Sequence, residues 1–188
     1  MDLATRRRTI REFKGDPVNI EDILYCIKVA VQAPSGANRQ PWRFIIVDEP
    51  KLKERLREAC EEEEKLFHRD AEADLKRWLK LKGITWRKAF LTEAPILLAV
   101  FSDQGTPYAT ESTWLAMGYL LLALEEKGLS TITYTPPYPE RLRSLFSAPE
   151  GYTLETILPI GYPANHGSKK ERRPYRSFIY RNSWNKRL

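Results

Sequence analysis

The sequence predicts an α+β domain, or a three-layer sandwich with helices on both faces of one sheet. Three observations carry this. The 188 residues are about the length of one domain. Apolar spacing switches between helical and strand periods in the order α α β α β α β α β, with four strand-like runs. No internal repeat, low-complexity tract or linker divides the chain, so residues 1–188 are read as one domain with a helical excursion over 51–93 and a basic C-terminal extension over 165–188.

Each element has a local reason. Residues 3–9 read as a short helix, and the chain breaks at Gly15-Asp16-Pro17. Asn19 suits an N-cap and Glu21 and Asp22 suit a first helical turn. Ile20, Ile23, Leu24, Ile27 and Val31 then share one face of a helix over 20–32. Pro34-Ser35-Gly36-Ala37-Asn38 ends that helix in a loop. Trp42 to Val47 reads as a buried strand. Residues 51–82 hold ten Lys/Arg and nine Asp/Glu around a thin apolar stripe, which reads as one or two solvated helices laced by pairs such as Arg57–Glu61 and Glu61–Lys65. The close carboxylates Glu61 to Glu64 belong to that solvated face. Gly83 breaks the pattern, and residues 86–93 form another short helix.

Ile96 to Phe101 is a second buried strand, entered through Pro95. Residues 109–127 are apolar nearly all round, as a central helix or a subunit interface requires, and Gly128 suits its C-cap. Leu129 to Tyr134 reads as a third strand, Pro139 to Phe146 as a short helix, and Thr153 to Ile160 as a fourth strand closed by Pro159-Ile160-Gly161.

Several classes of function are excluded. Cys26 and Cys60 form no CxxC pattern, so there is no disulfide framework. His68 and His166 are far apart with no cysteine beside them, which argues against zinc. No apolar run approaches the ~18 residues of a membrane-spanning helix. The Arg6-Arg7-Arg8 start lacks a following apolar segment, so no secretory signal is read and the cytoplasm is the expected location. No GxGxxG, GxxxxGK[ST], HExxH or GxSxG occurs. Strong acid–base tools are missing, so difficult chemistry here needs a cofactor.

Charge is distributed unevenly. The net +6 resolves into two basic ends on a mildly acidic body: residues 1–15 hold five basic against two acidic side chains, and residues 165–188 eight against one. Such ends are either tails that touch nucleic acid or jaws that close on one anion. Ile10, Phe13, Tyr175, Phe178, Ile179 and Trp184 favour structured ends over disordered ones.

Arg7-Arg8-Thr9-Ile10-Arg11-Glu12-Phe13, followed at Pro17-Val18, resembles the opening of the FMN-dependent nitroreductase family. Ala33-Pro34-Ser35-Gly36-Ala37-Asn38-Arg39-Gln40-Pro41-Trp42-Arg43-Phe44 is similar to its second block. Leu124 to Leu129, Pro159-Ile160-Gly161-Tyr162-Pro163 and Arg172-Arg173-Pro174 resemble its later ones, so the likeness spans nearly the whole chain.

The resemblance implies an α+β three-layer sandwich with a central, mostly antiparallel sheet, in an intertwined homodimer with shared active sites. It implies FMN as cofactor and NADH or NADPH as co-substrate. Hydride would pass from nicotinamide to flavin N5 and then to a small-molecule acceptor, a nitroaromatic or a quinone. Flavin fragmentation and reductive dehalogenation are the alternatives on the same fold. A basic nucleic-acid-binding module and an idle flavin-binding protein are the rivals outside that chemistry; neither a nucleic-acid nor a membrane partner is expected.

By the same resemblance Arg7, Arg8, Thr9 and Arg11 contact FMN, with Lys170 and Arg172 as phosphate ligands. Pro34, Ser35, Gly36, Asn38 and Gln40 form a loop that reaches the flavin from the partner subunit, and Pro159 and Gly161 complete the cofactor set. No residue is assigned a catalytic role, since FMN carries the chemistry. The likeness does not carry over at Arg87 to Phe90 or at Tyr134-Thr135-Pro136, where identities depart from the family pattern. A cation at Arg87 or Lys88 is the expectation near flavin N1. Trp86, Tyr108 and Trp114 are candidates to line the acceptor slot, and Trp42 is read as core.

Overall fold

The computed structural model describes residues 1–165, 167 and 169–188; His166 and Ser168, both in the basic extension, lie outside the described residues. Strands β1 (Trp42–Val47), β2 (Ile96–Asp103), β3 (Ser130–Thr131) and β4 (Tyr152–Gly161) form one antiparallel sheet in the order β1-β2-β4-β3. The helices are α1 (Asp2–Arg6), α2 (Ile20–Ala30), α3 (Pro50–Asp70), α4 (Ala73–Leu81), α5 (Phe90–Glu93), α6 (Ala109–Glu126) and α7 (Pro139–Leu142), with 3-10 turns at Gly36–Asn38, Arg143–Phe146 and Tyr175–Phe178.

Alternation along β2 separates two cores. Ile96, Leu98 and Val100 face α2 and α6, where Ile23, Cys26, Met117, Leu120 and Leu124 meet them. Leu97, Ala99 and Phe101 face the other way, onto Leu56 and Cys60 of α3, Leu91 of α5 and Leu142 of α7. Helices on both faces of one sheet make the three-layer sandwich that the sequence predicts. Asn19 caps α2 by accepting from the Glu21 N–H at 3.0 Å. On α6, Leu115, Tyr119 and Leu122 remain exposed opposite the buried stripe.

Several boundaries differ from the sequence reading. The first helix stops at Arg6 because Arg7 is already extended. The 86–93 helix is confined to α5, and the 139–146 helix divides into α7 and a 3-10 turn. The third strand shrinks most, from Leu129–Tyr134 to Ser130–Thr131. Its register nonetheless continues: Ser130 faces Gly161, Thr131 faces Ile160, and Tyr134 faces Ile157 with reciprocal bonds of 3.1 and 2.8 Å. The interruption falls where Ile132 would face Pro159, which has no N–H to give the ladder. The Thr131 hydroxyl instead donates to the Ile132 carbonyl at 3.2 Å.

A bulge in β4 has a comparable local effect. The β2–β4 register shifts by one between Val100/Thr156 and Phe101/Leu154, leaving Glu155 as the extra residue. Its carboxylate accepts from Ser102, from Thr110 at 2.7 Å and from the Trp114 indole at 3.0 Å. The start of α6 is thereby tied to the sheet.

The chain ends close on each other. Ile10 donates to the Thr131 carbonyl at 3.1 Å, Lys14 to Tyr162 at 2.9 Å, and Ala164 to Glu12 at 3.0 Å. Lys169 Nζ donates to the carbonyls of Ala4 and Thr5, the former at 2.9 Å.

Candidate functional site

Where the ends meet, Arg7, Arg8, Arg11, Lys169, Lys170 and Arg172 line a cavity of about 230 Å³ together with Thr9 and Ile10. No acidic side chain is among the described lining residues. The crowding acts on Lys169: partial desolvation first, then the charges of Arg172, Arg7 and Arg8, hold its ammonium below the ordinary lysine value. Six cations around one small cavity are a donor set for a multiply charged anion. The inward-folding reading of the two basic ends is the one the fold adopts, and Arg7, Arg8, Thr9, Arg11, Lys170 and Arg172 come together in it.

Arg11 and Lys170 also border a second, open cavity of about 880 Å³. Its walls come from α3, α4, the 82–90 segment and the interrupted strand, including Phe67, Trp78, Phe90 and Tyr134. Glu64 and Lys88 meet there. Lys88 Nζ lies 3.0 Å from Glu64 Oε2 and donates to the Thr85 carbonyl at 2.6 Å. Both residues are almost fully buried, at 8% and 6% exposure. Glu61 supports the pair from the same helix by accepting from the Lys88 N–H at 2.8 Å and from Arg57 at 2.9 Å, while Arg57 also donates to Thr92.

This corrects the reading of Glu61 to Glu64 as solvated surface. Glu63 and Glu64 are buried because the helix turns them toward the sheet along the same stripe as Leu56 and Cys60. Desolvation raises the Glu63 carboxyl to about 7 against the lowering effects of the Tyr138 N–H and Arg141. The signal was present in the sequence: carboxylates at helical spacing from Leu56, Cys60 and Phe67 sit on an apolar face.

The 34–40 loop lies away from these cavities, against the start of α6. Gly36 donates to Ser112 Oγ at 3.2 Å. A Cβ on Gly36 would stand 3.0 Å from the Tyr108 ring and 3.1 Å from the Pro107 carbonyl, so a side chain there would have to push these neighbours back by a few tenths of an ångström. Ser35 accepts from the Gln40 N–H at 3.1 Å, and the Gln40 amide donates to Asn38 at 3.1 Å. Ala37, Asn38 and Gln40 all have positive φ, a concentration of strain typical of loops held for a purpose. Pro34 precedes this strained segment and is exposed.

Pro159 and Gly161 are buried within β4 and line neither cavity. Of the aromatic candidates, Trp86 lies under Lys65 and Arg87, Trp114 bonds Glu155, and Tyr108 is exposed beside Gly36. Trp42 is core. Among the described residues no helix is long and apolar enough to cross a membrane, and no cluster of potential metal ligands occurs.

An iodotyrosine deiodinase from Thermotoga neapolitana is 54% identical over 162 residues, spanning 86% of this chain and 87% of that protein. Iodotyrosine deiodinase 1 of Homo sapiens is 35% identical over 89% of this chain and 62% of its own length. A crystal structure of oxidized iodotyrosine deiodinase bound to FMN and 3-iodo-L-tyrosine is similar with a TM-score of 0.90 and 50% identity, covering 97% of each chain. The family model described as the Nitroreductase family matches residues 4–162, from the first helix through the last strand; this chain therefore belongs to the nitroreductase family.

Proposed function

We infer that the protein is an FMN-dependent reductive dehalogenase acting on an iodinated tyrosine. The observation that carries the reading is the buried Glu64–Lys88 pair in the open cavity. An amino acid brings an ammonium and a carboxylate, and an ion pair inside a cavity can exchange its internal partner for both. Glu64 would take the ammonium and Lys88 the carboxylate, while Phe67 and Trp78 offer apolar walls to an aromatic ring. The deiodinase names of the relatives agree with this chemistry. They favour the dehalogenation alternative over reduction of nitroaromatics or quinones.

The fit to FMN rests on the cationic cavity. Lys169 is held below its ordinary value by partial desolvation and then by like charges, and a bound phosphate relieves the repulsive part. Arg7, Arg8, Lys170 and Arg172 would hold the phosphate, with Thr9 and Arg11 beside it. FMN, when bound and reduced, supplies the two electrons for breaking the carbon–halogen bond. A carbon–hydrogen bond forms, a proton is taken up and halide leaves. The chain itself binds and orients the substrate and excludes water around the buried pair. A homodimer completes the reading: Ser35, Gly36, Asn38 and Gln40 lie apart from the cavities of their own subunit and serve the site of a partner.

The test uses purified holoprotein under anaerobic conditions, reduced in parallel by dithionite, NADH and NADPH, with 3-iodotyrosine and a nitroaromatic as competing acceptors. Iodide and tyrosine in equal amounts from the dithionite arm are expected. A colourless protein, or turnover of the nitroaromatic with no iodide released, overturns the reading. The nicotinamide arms decide whether NADH or NADPH is the direct donor.

A further inference from the structure

One polar group in the larger cavity has no role in the reading above. Tyr134 lines that cavity and is only 6% exposed, and its hydroxyl makes no well-aligned hydrogen bond although the Cys60 thiol and the Glu64 carboxylate stand close enough to act on it. Buried tyrosine hydroxyls ordinarily find a partner. The polar groups acting on this one are the Cys60 thiol and the Glu64 carboxylate. The thiol, fully buried and pushed up to about 12 mainly by desolvation, stays protonated and is a weak acceptor. The carboxylate is a strong acceptor, and Lys88 holds one of its oxygens at 3.0 Å.

Tyr134 is fixed in every other respect. Its N–H and carbonyl pair with Ile157, and its carbonyl also accepts from Thr156 Oγ1 at 2.9 Å. Its ring stands edge-on to Phe90 at 5.6 Å, and Lys88 Nζ lies 5.7 Å from the ring centre. Desolvation, then the charges of its neighbours, push the phenol well above the ordinary tyrosine value, so it keeps its proton and has it to donate.

We propose that Tyr134 is a positioning residue for the amino-acid end of the substrate, its hydroxyl donating to Glu64 when that carboxylate takes up the substrate ammonium and releases Lys88 to the substrate carboxylate. The proposal rests on the dehalogenase reading. It explains why a hydroxyl is kept without a well-aligned bond beside the ion pair that substrate must open. A carboxylate has lone pairs for both an ammonium and a phenol donor. The second donor compensates a buried charge whose lysine has turned away.

The test is affinity of the oxidised holoprotein, followed by flavin fluorescence, for 3-iodotyrosine and for 2-iodophenol, which has the ring and halogen without the charged groups. Tyr134→Phe should lower the preference for 3-iodotyrosine over 2-iodophenol about tenfold, the scale of a hydrogen bond to a charged group. In a Glu64→Gln background the same substitution should leave that preference within about twofold, since Tyr134 acts through Glu64. An unchanged preference in Tyr134→Phe, or an equal fall in both backgrounds, overturns the proposal. A crystal structure of wild-type holoprotein with 3-iodotyrosine is independent of how the variants fold. Tyr134 Oη should lie about 2.7 Å from a Glu64 oxygen, and a hydroxyl still unbonded beside Cys60 overturns the proposal. If wild-type protein releases no iodide, the dehalogenase reading fails first; iodide release with an unchanged preference sinks the Tyr134 role alone.

Discussion

At the scale of single residues, burial of charge governs this protein. Glu63 is 4% exposed and keeps its proton up to about 7, whereas the ordinary value is 4.5. Between those two values the folded chain binds more protons than the unfolded chain, so stability falls as pH rises through this window and levels off above it. Glu63→Gln removes the ionisation while keeping an acceptor for the Tyr138 N–H. Thermal unfolding at pH 5 and pH 8 should show a flatter pH dependence, with a relative gain of roughly 2 kcal/mol at the higher pH. The basic side chains were legible in the sequence because they concentrate at the two ends, where a count reveals them. Glu64 and Lys88 were not, because 24 positions separate them and the pairing exists only once α3 packs on the segment before α5. The carboxylates of the 51–82 stretch look alike until the phase of the helix is compared with Leu56 and Cys60.

At the scale of elements, the apolar periods placed most helices and strands within a few residues, since both faces of β2 are covered and its run of apolar residues is unbroken. The third strand was overestimated because alternation reports burial rather than hydrogen bonding. Ile132 and Tyr134 are buried as a strand would have them, while Pro159 on the neighbouring strand removes the donor opposite Ile132. The next residue but one, Gly161, is where the head of the chain docks. A Cβ there would stand 2.8 Å from Pro95 Cδ and 3.1 Å from the Phe13 ring. The proline ring at the start of β2 is rigid, so the strain cannot be relieved by a rotamer change. Gly161→Ala should cost about 1–3 kcal/mol, read as a fall of several degrees in the melting temperature. An unchanged melting temperature would show that Phe13 gives way freely.

At the scale of the whole molecule, the cationic cavity exists only because head and tail are held together by Lys169 and the 9–14 segment. The double variant Lys170→Ala/Arg172→Ala should retain its fold by circular dichroism and lose FMN affinity by more than tenfold, as fits removal of two charge-assisted contacts. An FMN affinity within twofold of wild type would place the phosphate elsewhere. The outer face of α6 bears Leu115, Tyr119 and Leu122 exposed, an apolar face that a second copy could cover. Sedimentation should give twice the 21.9 kDa of the chain, and Leu115→Arg should shift that mass toward the single chain and release flavin. A wild-type protein sedimenting as one chain would remove the partner-loop role from Ser35, Asn38 and Gln40.

The closure of the two ends also ties the cavity to contacts that are remote along the polypeptide. Lys169 reaches Ala4 across 165 positions, and the walls of the cavity come from residues 7–11 and 169–172. Fraying of either segment should therefore loosen the grip on an anion well before either core opens.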